Sequence, residues 1–430
     1  MQSPKYSVVI PTYNLCELYL KPCIESIIKY TNLNDIELIV VANGCTDGTH
    51  KYLNYVGTVI PNLLTVIYPE PLGFSKAVNA GIKAATCDKI VLLNNDTLLL
   101  DQPQNQWLDF LNKPFQDPDC GISCIIKTLS PPAGRDFAIF FCVMIHRNVF
   151  TAIGLLNEEY GVGGGEDTEF CIEAEAAGFK VIEVFEKHWG GASFTGGFPI
   201  YHKGEGTVHD TKLVSNYDKV FYKNSLKLAK KYNLEYYRFM LSNNYERAVF
   251  LKGDPVFPRE TTRYEWAIKN LWGYVFLEIG CSTGYGYQFI PEHIQLQGQY
   301  TGLDYDPVIV DVAKEQQWGK YCQFVCADIN TYPLAQYDTI IAFEVIEHLD
   351  NGLELVEKLK RHCKQLLISV PYNEPKGFWG EHHKLHGLTE KDFVGFEFTY
   401  INHAGQISNV MQPITPENPS NLMLCKYSAP

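Results

Sequence analysis

YVFLEIGCSTGYG, residues 274–286, is a short apolar strand that runs into a glycine turn and the start of a helix. It is the second place in this chain where a strand–turn–helix rhythm begins, and that restart divides the molecule. Just before it, KGDPVFPRE (Lys252 to Glu260) is a Pro/Gly break, and before that KNSLKLAKKYNLEYYRFML (Lys223 to Leu241) has helical spacing and no strand signal. After it come YTGLD, QFVCAD, DTIIAFE, QLLISVP, FEFTYI and LMLCKYS, which with YVFLEIG make seven expected strands. The earlier rhythm starts at YSVVIPTY (Tyr6 to Tyr13) and continues through a helical stretch around Leu18 to Tyr30, ELIVVANG, a helix after Asp47 and KIVLLNND (Lys89 to Asp96). Short apolar strands alternating with amphipathic helices predict two α/β domains, each a mostly parallel, doubly wound sheet. The expected division is 1–212 for the first domain, 213–255 for a helical connection and 256–430 for the second.

Composition bounds what these domains do. The 430 residues carry 36 Lys+Arg against 49 Asp+Glu, a net charge of −13, so the long-range field that concentrates polyanions is absent and duplex nucleic acid is not an expected partner. Small anions need only local positive groups or a metal. The longest apolar run, FAIFFCVMI (Phe137 to Ile145), has nine residues, far short of the roughly 18 needed to span a bilayer. No span and no leader pattern after Met1 is read, and a soluble, cytoplasmic chain is the expectation. The 13 cysteines are odd in number and scattered, and Cys120/Cys124 and Cys322/Cys326 have no matching second pairs, so reduced thiols are expected.

In the first half three strand ends converge: SVVIPTYN (Ser7 to Asn14), VVANGCTDGT (Val40 to Thr49) and LLNNDT (Leu92 to Thr97). Ligands of doubly wound sheets bind at the carboxyl ends of strands, and an Asp there suits a divalent cation that also holds phosphate oxygens. Further on, GVGGGEDTEFCIEAEAAGFKV (Gly161 to Val181) places Glu166 and Asp167 at a helix N-terminus after three glycines. Such acids either cap the helix or stand where a general base needs close approach to substrate.

With LGFSKAVNAGIKAA (Leu72 to Ala85), these motifs resemble, in order and spacing over about Tyr6 to Asp210, the family 2 glycosyltransferases of the GT-A nucleotide-diphospho-sugar transferase fold. The resemblance implies inverting sugar transfer with a Mn or Mg ion at an Asp-x-Asp-like turn. It implies Asp96 as the second acid of that turn, with Asn94 standing where the first often is, and a carboxylate base, Asp167, beside Glu166. By the same resemblance Pro11, Tyr13, Asn43, Asp47, Lys76, Asn95 and Asp96 hold the donor, and His188 completes the metal site, with His202 and His209 as rivals. Ala42 stands where the family commonly has an Asp that contacts the nucleotide base, so UDP and dTDP are not distinguished.

In the second half, Glu278, Gly280, Ser282 and Gly284 form an acid and glycine turn, and Asp304 and Asp328 end the next two strands. An acid 24 residues after Gly280 can hold ribose hydroxyls, a logic that NAD and adenosyl sites share. E-x-G-x-x-x-G followed by FEVIEHLD (Phe343 to Asp350) resembles the class I S-adenosylmethionine-dependent methyltransferases, whose fold is Rossmann-like and seven-stranded. That implies Gly280, Ser282 and Gly284 on the methionine side, Asp304 on the ribose, and Asp328 and Ile329 on the adenine. If a helix begins near Glu344, then Glu344, Glu347 and His348 share a face and can bind a cation such as Mg, with His383 preferred over His382 and His386 as a further ligand. His348 alone could instead act as a base. The E-x-x-E-H pattern resembles that of ubiquinone-pathway and small-RNA O-methyltransferases, in which a cation orients adjacent hydroxyls.

The expected protein is a bifunctional enzyme: a nucleotide-diphospho-sugar donor and a glycan acceptor for the first half, S-adenosylmethionine-dependent O-methylation of a sugar hydroxyl for the second. The alternatives are a catalytically inactive, glycan-binding first half joined to a working methyltransferase, and a methyltransferase for a non-glycan acceptor such as an RNA end.

Overall fold

The computed structural model describes residues 3–184, 197–204, 217–243, 247–378 and 381–430. The chain forms two compact units, Met1–Tyr237 and Arg238–Pro430. The segment expected as a helical connection is shared out between them. Helix Tyr217–Tyr232 lies in the first unit, where Lys231 pairs with Glu169 at 2.6 Å, and Arg247 in the second unit pairs with Asp306 at 2.8 Å.

In the first unit the strands are β1 (Tyr6–Thr12), β2 (Ile36–Asn43), β3 (Leu63–Tyr68), β4 (Lys89–Leu93), β5 (Thr97–Leu99), β6 (Cys120–Cys124), β7 (Lys127–Ser130), β8 (Arg135–Ala138), β9 (Cys142–His146), β10 (Lys180–Glu183) and β11 (Ile200–His202). Seven make one sheet in the order β10-β6-β9-β4-β1-β2-β3, and β5–β11 and β7–β8 are small ribbons. β1 is parallel to both β2 and β4, while β9 runs antiparallel between β4 and β6. The near-continuous apolar sequences of β1 and β2 follow from burial on both faces. One face packs on Ile24, Ile27 and Trp107, the other on Val78, Ile82 and Phe170. Helix Phe74–Ala84 lies close on β1 because Gly81 has no side chain; a Cβ there would stand 2.2 Å from Val9 Cγ1. Register places the ends of β1, β2 and β4 side by side, so the three polar turns named above meet at one edge.

The second unit holds β12 (Val275–Ile279), β13 (Gln299–Asp304), β14 (Cys322–Cys326), β15 (Tyr337–Phe343), β16 (Cys363–Pro371), β17 (Glu397–Asn402), β18 (Ile407–Ser408) and β19 (Asn421–Ser428). All seven expected strands form, and the two-residue β18 extends the sheet to eight, ordered β14-β13-β12-β15-β16-β19-β17-β18. β12 to β16 pair in parallel and β19 runs antiparallel beside β16. Both units are α/β. Every described cysteine is a free thiol, and among the described residues no helix is long and apolar enough to cross a membrane.

Candidate functional sites

In the first unit, Asp96 follows β4 and is 7% exposed. His202, at the end of β11, brings Nε2 to 3.2 Å from Asp96 Oδ1, and its ring stacks on Phe141 at 4.3 Å between centroids. The β5–β11 ribbon makes this pairing, registering Thr97 against His202. Lys203 follows at once, donating its backbone N–H to the Asp96 carbonyl at 3.2 Å and its ammonium to the Tyr19 hydroxyl. Among the described residues the imidazole beside the acid is that of His202, named above as a rival; His188 and His209 lie outside the described residues. A carboxylate and an imidazole facing each other in a buried turn are a suitable donor pair for a divalent cation.

The other expected donor residues divide into two groups. Asn95 donates to Thr12 Oγ1 at 2.9 Å, tying the β4 turn to β1. Asn43 is engaged with the 72–73 turn, accepting from Leu72 N–H at 2.7 Å and donating to the Gly73 carbonyl at 3.2 Å. Asp47 accepts from Cys16 N–H at 2.9 Å and from Thr49 N–H at 3.1 Å. Both side chains thus shape the turns at this sheet edge, while Pro11, Tyr13 and the exposed Lys76 keep surface toward solvent.

Glu166 and Asp167 open helix Glu166–Ala176, whose N-cap is Gly165, so neither acid is the cap. Glu166 is 6% exposed, with Oε2 lacking a hydrogen-bond partner; Asp167 is only partly buried. Burial, then the neighbouring Asp167 charge, pushes the Glu166 carboxyl up. Burial also raises Asp167, against backbone hydrogen bonds at Thr168 and Phe140 that favour its ionised form. Phe140 and Phe141 join the two halves of the site: the first supports Asp167, and the second stacks on His202 and accepts from Asn94 N–H at 2.8 Å.

In the second unit, Gly280, Ser282 and Gly284 have φ of 71, 49 and 78°, a left-handed turn after β12. Asp304, at the end of β13, accepts from Ser282 N–H and Asp306 N–H, each at 3.1 Å, one per carboxylate oxygen. Each oxygen retains a lone pair for a ribose hydroxyl. Asp328 is solvent-facing and caps Asn330 N–H at 2.9 Å, with Ile329 buried behind it. Glu278 turns inward instead. It is 2% exposed, accepts from the Tyr264 and Tyr300 hydroxyls, and lies under Gly286, so its carboxylate braces the turn from below.

FEVIEHLD does not form the expected helix. β15 ends at Phe343, Glu344 takes φ 53°, and only Ile346–His348 makes a single 3₁₀ turn. Glu344 is thereby turned away to the Ser369 hydroxyl, which donates to it at 2.9 Å, and toward Arg263 at 3.9 Å. Glu347, His348 and His383 do come together, with one ligand atom from each within 4.8 Å of the others. Glu347 is 1% exposed, and neither carboxylate oxygen has a hydrogen-bond partner. Burial, then the Glu344 charge, pushes its carboxyl well up. Glu374, which no motif marks, accepts from His383 Nδ1 at 2.6 Å, and the His382 carbonyl lies 3.3 Å from His348 Nδ1. A neutral ring in either place would carry its proton on Nδ1, which makes Nε2 the nitrogen able to ligate a cation.

Residues 7–128 match the family model described as Glycosyl transferase family 2, and residues 277–365 match one described as Methyltransferase domain. The chain is 23% identical over 217 residues to the O-antigen biosynthesis protein RfbC of Myxococcus xanthus, covering 42% of this chain and 16% of that one. It is 32% identical over 107 residues to glycosyltransferase AglE of Haloferax volcanii, covering 25% of this chain and 34% of that one. It thus spans about a sixth of the length of the first of these curated relatives and about a third of the second. Among solved structures it is similar to S. aureus TarS 1–349 in complex with UDP-GlcNAc, at 17% identity and a TM-score of 0.39, over 69% of this chain and 84% of that one.

Proposed function

We propose that this chain, which joins a family 2 glycosyltransferase domain to a methyltransferase domain, makes and then methylates a glycan. In this reading the first unit transfers a sugar, with inversion, from a nucleotide-diphospho-sugar to a glycan hydroxyl. The second O-methylates a sugar hydroxyl of the same or a related glycan, with S-adenosylmethionine as the methyl donor. The observation that carries the first activity is the Phe140–Phe141 turn, which sets a partly exposed Asp167 on one side and the Asp96–His202 pair on the other.

Asp167 accepts the proton of the acceptor hydroxyl as its oxygen attacks the anomeric carbon, and the nucleoside diphosphate leaves from the opposite face. Burial makes this carboxylate a stronger base than a surface Asp. Asp96 and His202 would hold a Mn or Mg ion, which supplies positive charge to the departing diphosphate.

For the second activity, the Gly280–Gly284 turn lets the backbone approach the cofactor and Asp304 accepts from its ribose hydroxyls. Bound there, S-adenosylmethionine supplies an electrophilic methyl group. Glu347, His348 and His383 fit a divalent cation because a buried carboxylate with both oxygens unpartnered is costly unless a cation answers it. A cation there would acidify and aim one of two vicinal hydroxyls, an arrangement sugars present. Placing both activities on one chain raises the local concentration of the first product for the second.

The test is nucleotide release from a panel of UDP-, dTDP- and GDP-sugars with Mn²⁺, comparing wild type with Asp96→Ala, followed by methyl transfer from labelled S-adenosylmethionine to the glycosylated product. Metal-dependent release that Asp96→Ala abolishes, and label on the product that Glu347→Gln abolishes, support the reading. Release from no sugar, together with S-adenosylmethionine binding, refutes the first half of it.

A further inference from the structure

Beyond the buried Tyr160 ring, the loop before the Glu166–Asp167 pair is nearly all glycine. Gly161, Gly163, Gly164 and Gly165 all have positive φ, between 61 and 130°. Four such glycines in five residues give a segment with high conformational entropy, poorly suited by itself to hold a base in place. One anchor comes from the amino end of helix Phe74–Ala84, where Phe74 N–H donates to the Gly161 carbonyl at 2.8 Å. The others come from helix Tyr217–Tyr232, which lies beyond the matched family segment. Asn224, 6% exposed, directs its side-chain amide at two loop carbonyls, Tyr160 at 2.9 Å and Gly163 at 2.8 Å. Its two N–H donors are both used by these bonds. One turn earlier, Phe221 covers Gly164, where a Cβ would stand 2.8 Å from the ring.

The same face continues down the helix. Leu228 packs with Tyr160 and Ile172, Lys227 pairs with Glu159 at 2.9 Å, and Lys231 bridges Glu169 at 2.6 Å and Glu173 at 2.7 Å. Residues 221, 224, 228 and 231 recur at the 3.6-residue period, one stripe laid along the loop and the helix that carries the acids.

We propose that helix Tyr217–Tyr232 is a positioning element of the sugar-transfer site and that Asn224 is its positioning residue, clamping the 160–165 loop so that Asp167 meets the acceptor at a fixed place. The proposal rests on the reading of Asp167 as the base. The loop it holds also covers Glu166, since a Cβ at Gly163 would stand 3.5 Å from Glu166 Oε1, and burial is the largest cause of the raised carboxyls of both acids. Among the described residues the other titratable groups at the pair are the Tyr160 phenol from the preceding turn and the Cys171 thiol on the pair's own helix. From helix Tyr217–Tyr232 the cations Lys227 and Lys231 are engaged with Glu159, Glu169 and Glu173. Loosening the loop therefore lets the base titrate lower.

The experiment uses the full chain as wild type, Asn224→Ala, Asn224→Asp and, as a reference, Asp167→Asn. Amide hydrogen exchange of peptides covering 158–166 is expected to speed up about tenfold in both Asn224 variants, with the peptides of β1, β2 and β4 unchanged, as a loss of about 1.4 kcal/mol of local protection requires. Nucleotide release from the panel of nucleotide sugars is expected to fall about tenfold at its pH plateau, with the donor KM within twofold of wild type and the acid limb moved to lower pH. Asn224→Asp, which keeps the size but turns donors into acceptors, is expected to be no better than Asn224→Ala. Loop exchange equal to wild type in Asn224→Ala, or wild-type behaviour of Asn224→Asp, overturns the clamp. Wild-type release by Asp167→Asn overturns the base instead, and the exchange measurement still decides the clamp where no sugar in the panel turns over.

Discussion

Replacing Glu347 with Gln should make the second unit more stable without metal and deaf to metal when it is added. Glu347 is 1% exposed, has no hydrogen-bond partner on either oxygen, and faces Glu344. Without a cation the fold therefore favours the protonated acid. In the unfolded chain this carboxyl titrates near about 4.3, so keeping its proton in the folded state costs about 1.36 kcal/mol for each pH unit above that value over which the folded acid stays protonated. Because the folded value is the raised one, this stability is complete below the unfolded value and is lost as pH rises toward the folded value. A glutamine of the same shape has nothing to titrate, and its amide is no worse partnered than the neutral acid. The variant should exceed wild type by about 2–4 kcal/mol at pH 7, which is roughly 5–10 °C in Tm for a unit of this size, and by little at pH 5. Mn²⁺ at about 100 times its Kd should return about 2.7 kcal/mol to wild type and nothing to the variant. The assay is scanning calorimetry from pH 5 to 8 with EDTA or Mn²⁺, following the transition that S-adenosylhomocysteine raises. A variant less stable than wild type in EDTA at pH 7, or an equal response of both proteins to Mn²⁺, would refute the reasoning.

Four further substitutions have expected outcomes. Asp96→Ala should lower Mn²⁺-dependent nucleotide release by about 100-fold or more, as the loss of one charge-stabilising group does, and His202→Ala should raise the Mn²⁺ concentration needed for half-maximal release. Asp167→Asn should cut transfer by about 100-fold or more at every pH; wild-type transfer should decline on the acid side beginning above the ordinary Asp range, since protonating a raised carboxyl removes the base. Gly286→Ala would put a Cβ 2.6 Å from both Glu278 Oε2 and the Tyr264 ring, so it should cost about 1–3 kcal/mol and weaken S-adenosylhomocysteine binding measured by calorimetry.

The local sequence determined the elements and most of their order. Apolar β-branched runs such as SVVIPT and VFLEI are buried strands wherever they pair, and their polar ends lie side by side because the strands pair in parallel register. The Gly280–Gly284 turn and Asp304 were legible for the same reason: positive φ calls for glycine or a tolerant residue, and the next strand end lies beside it by register. The helix read from Glu344, Glu347 and His348 failed because residue spacing cannot show a reversal of the chain. Glu344 in the left-handed region turns its carboxylate to Ser369 and leaves Glu347 with His348 and His383.

What only the tertiary structure decided is which distant side chains meet. His202 stands by Asp96 because β11 pairs antiparallel with β5, a pairing three residues long that carries no signal of its own. Glu374 reaches His383, Tyr264 and Tyr300 seal Glu278, and Asn224 reaches the glycine loop; none of these has a spacing that marks it, since each contact joins two elements at a separation set by packing. A sequence dictates the period of each strand and helix through local sterics and burial, but partners across elements follow from how those faces stack, and it is this stacking that turns scattered acids, imidazoles and amides into sites.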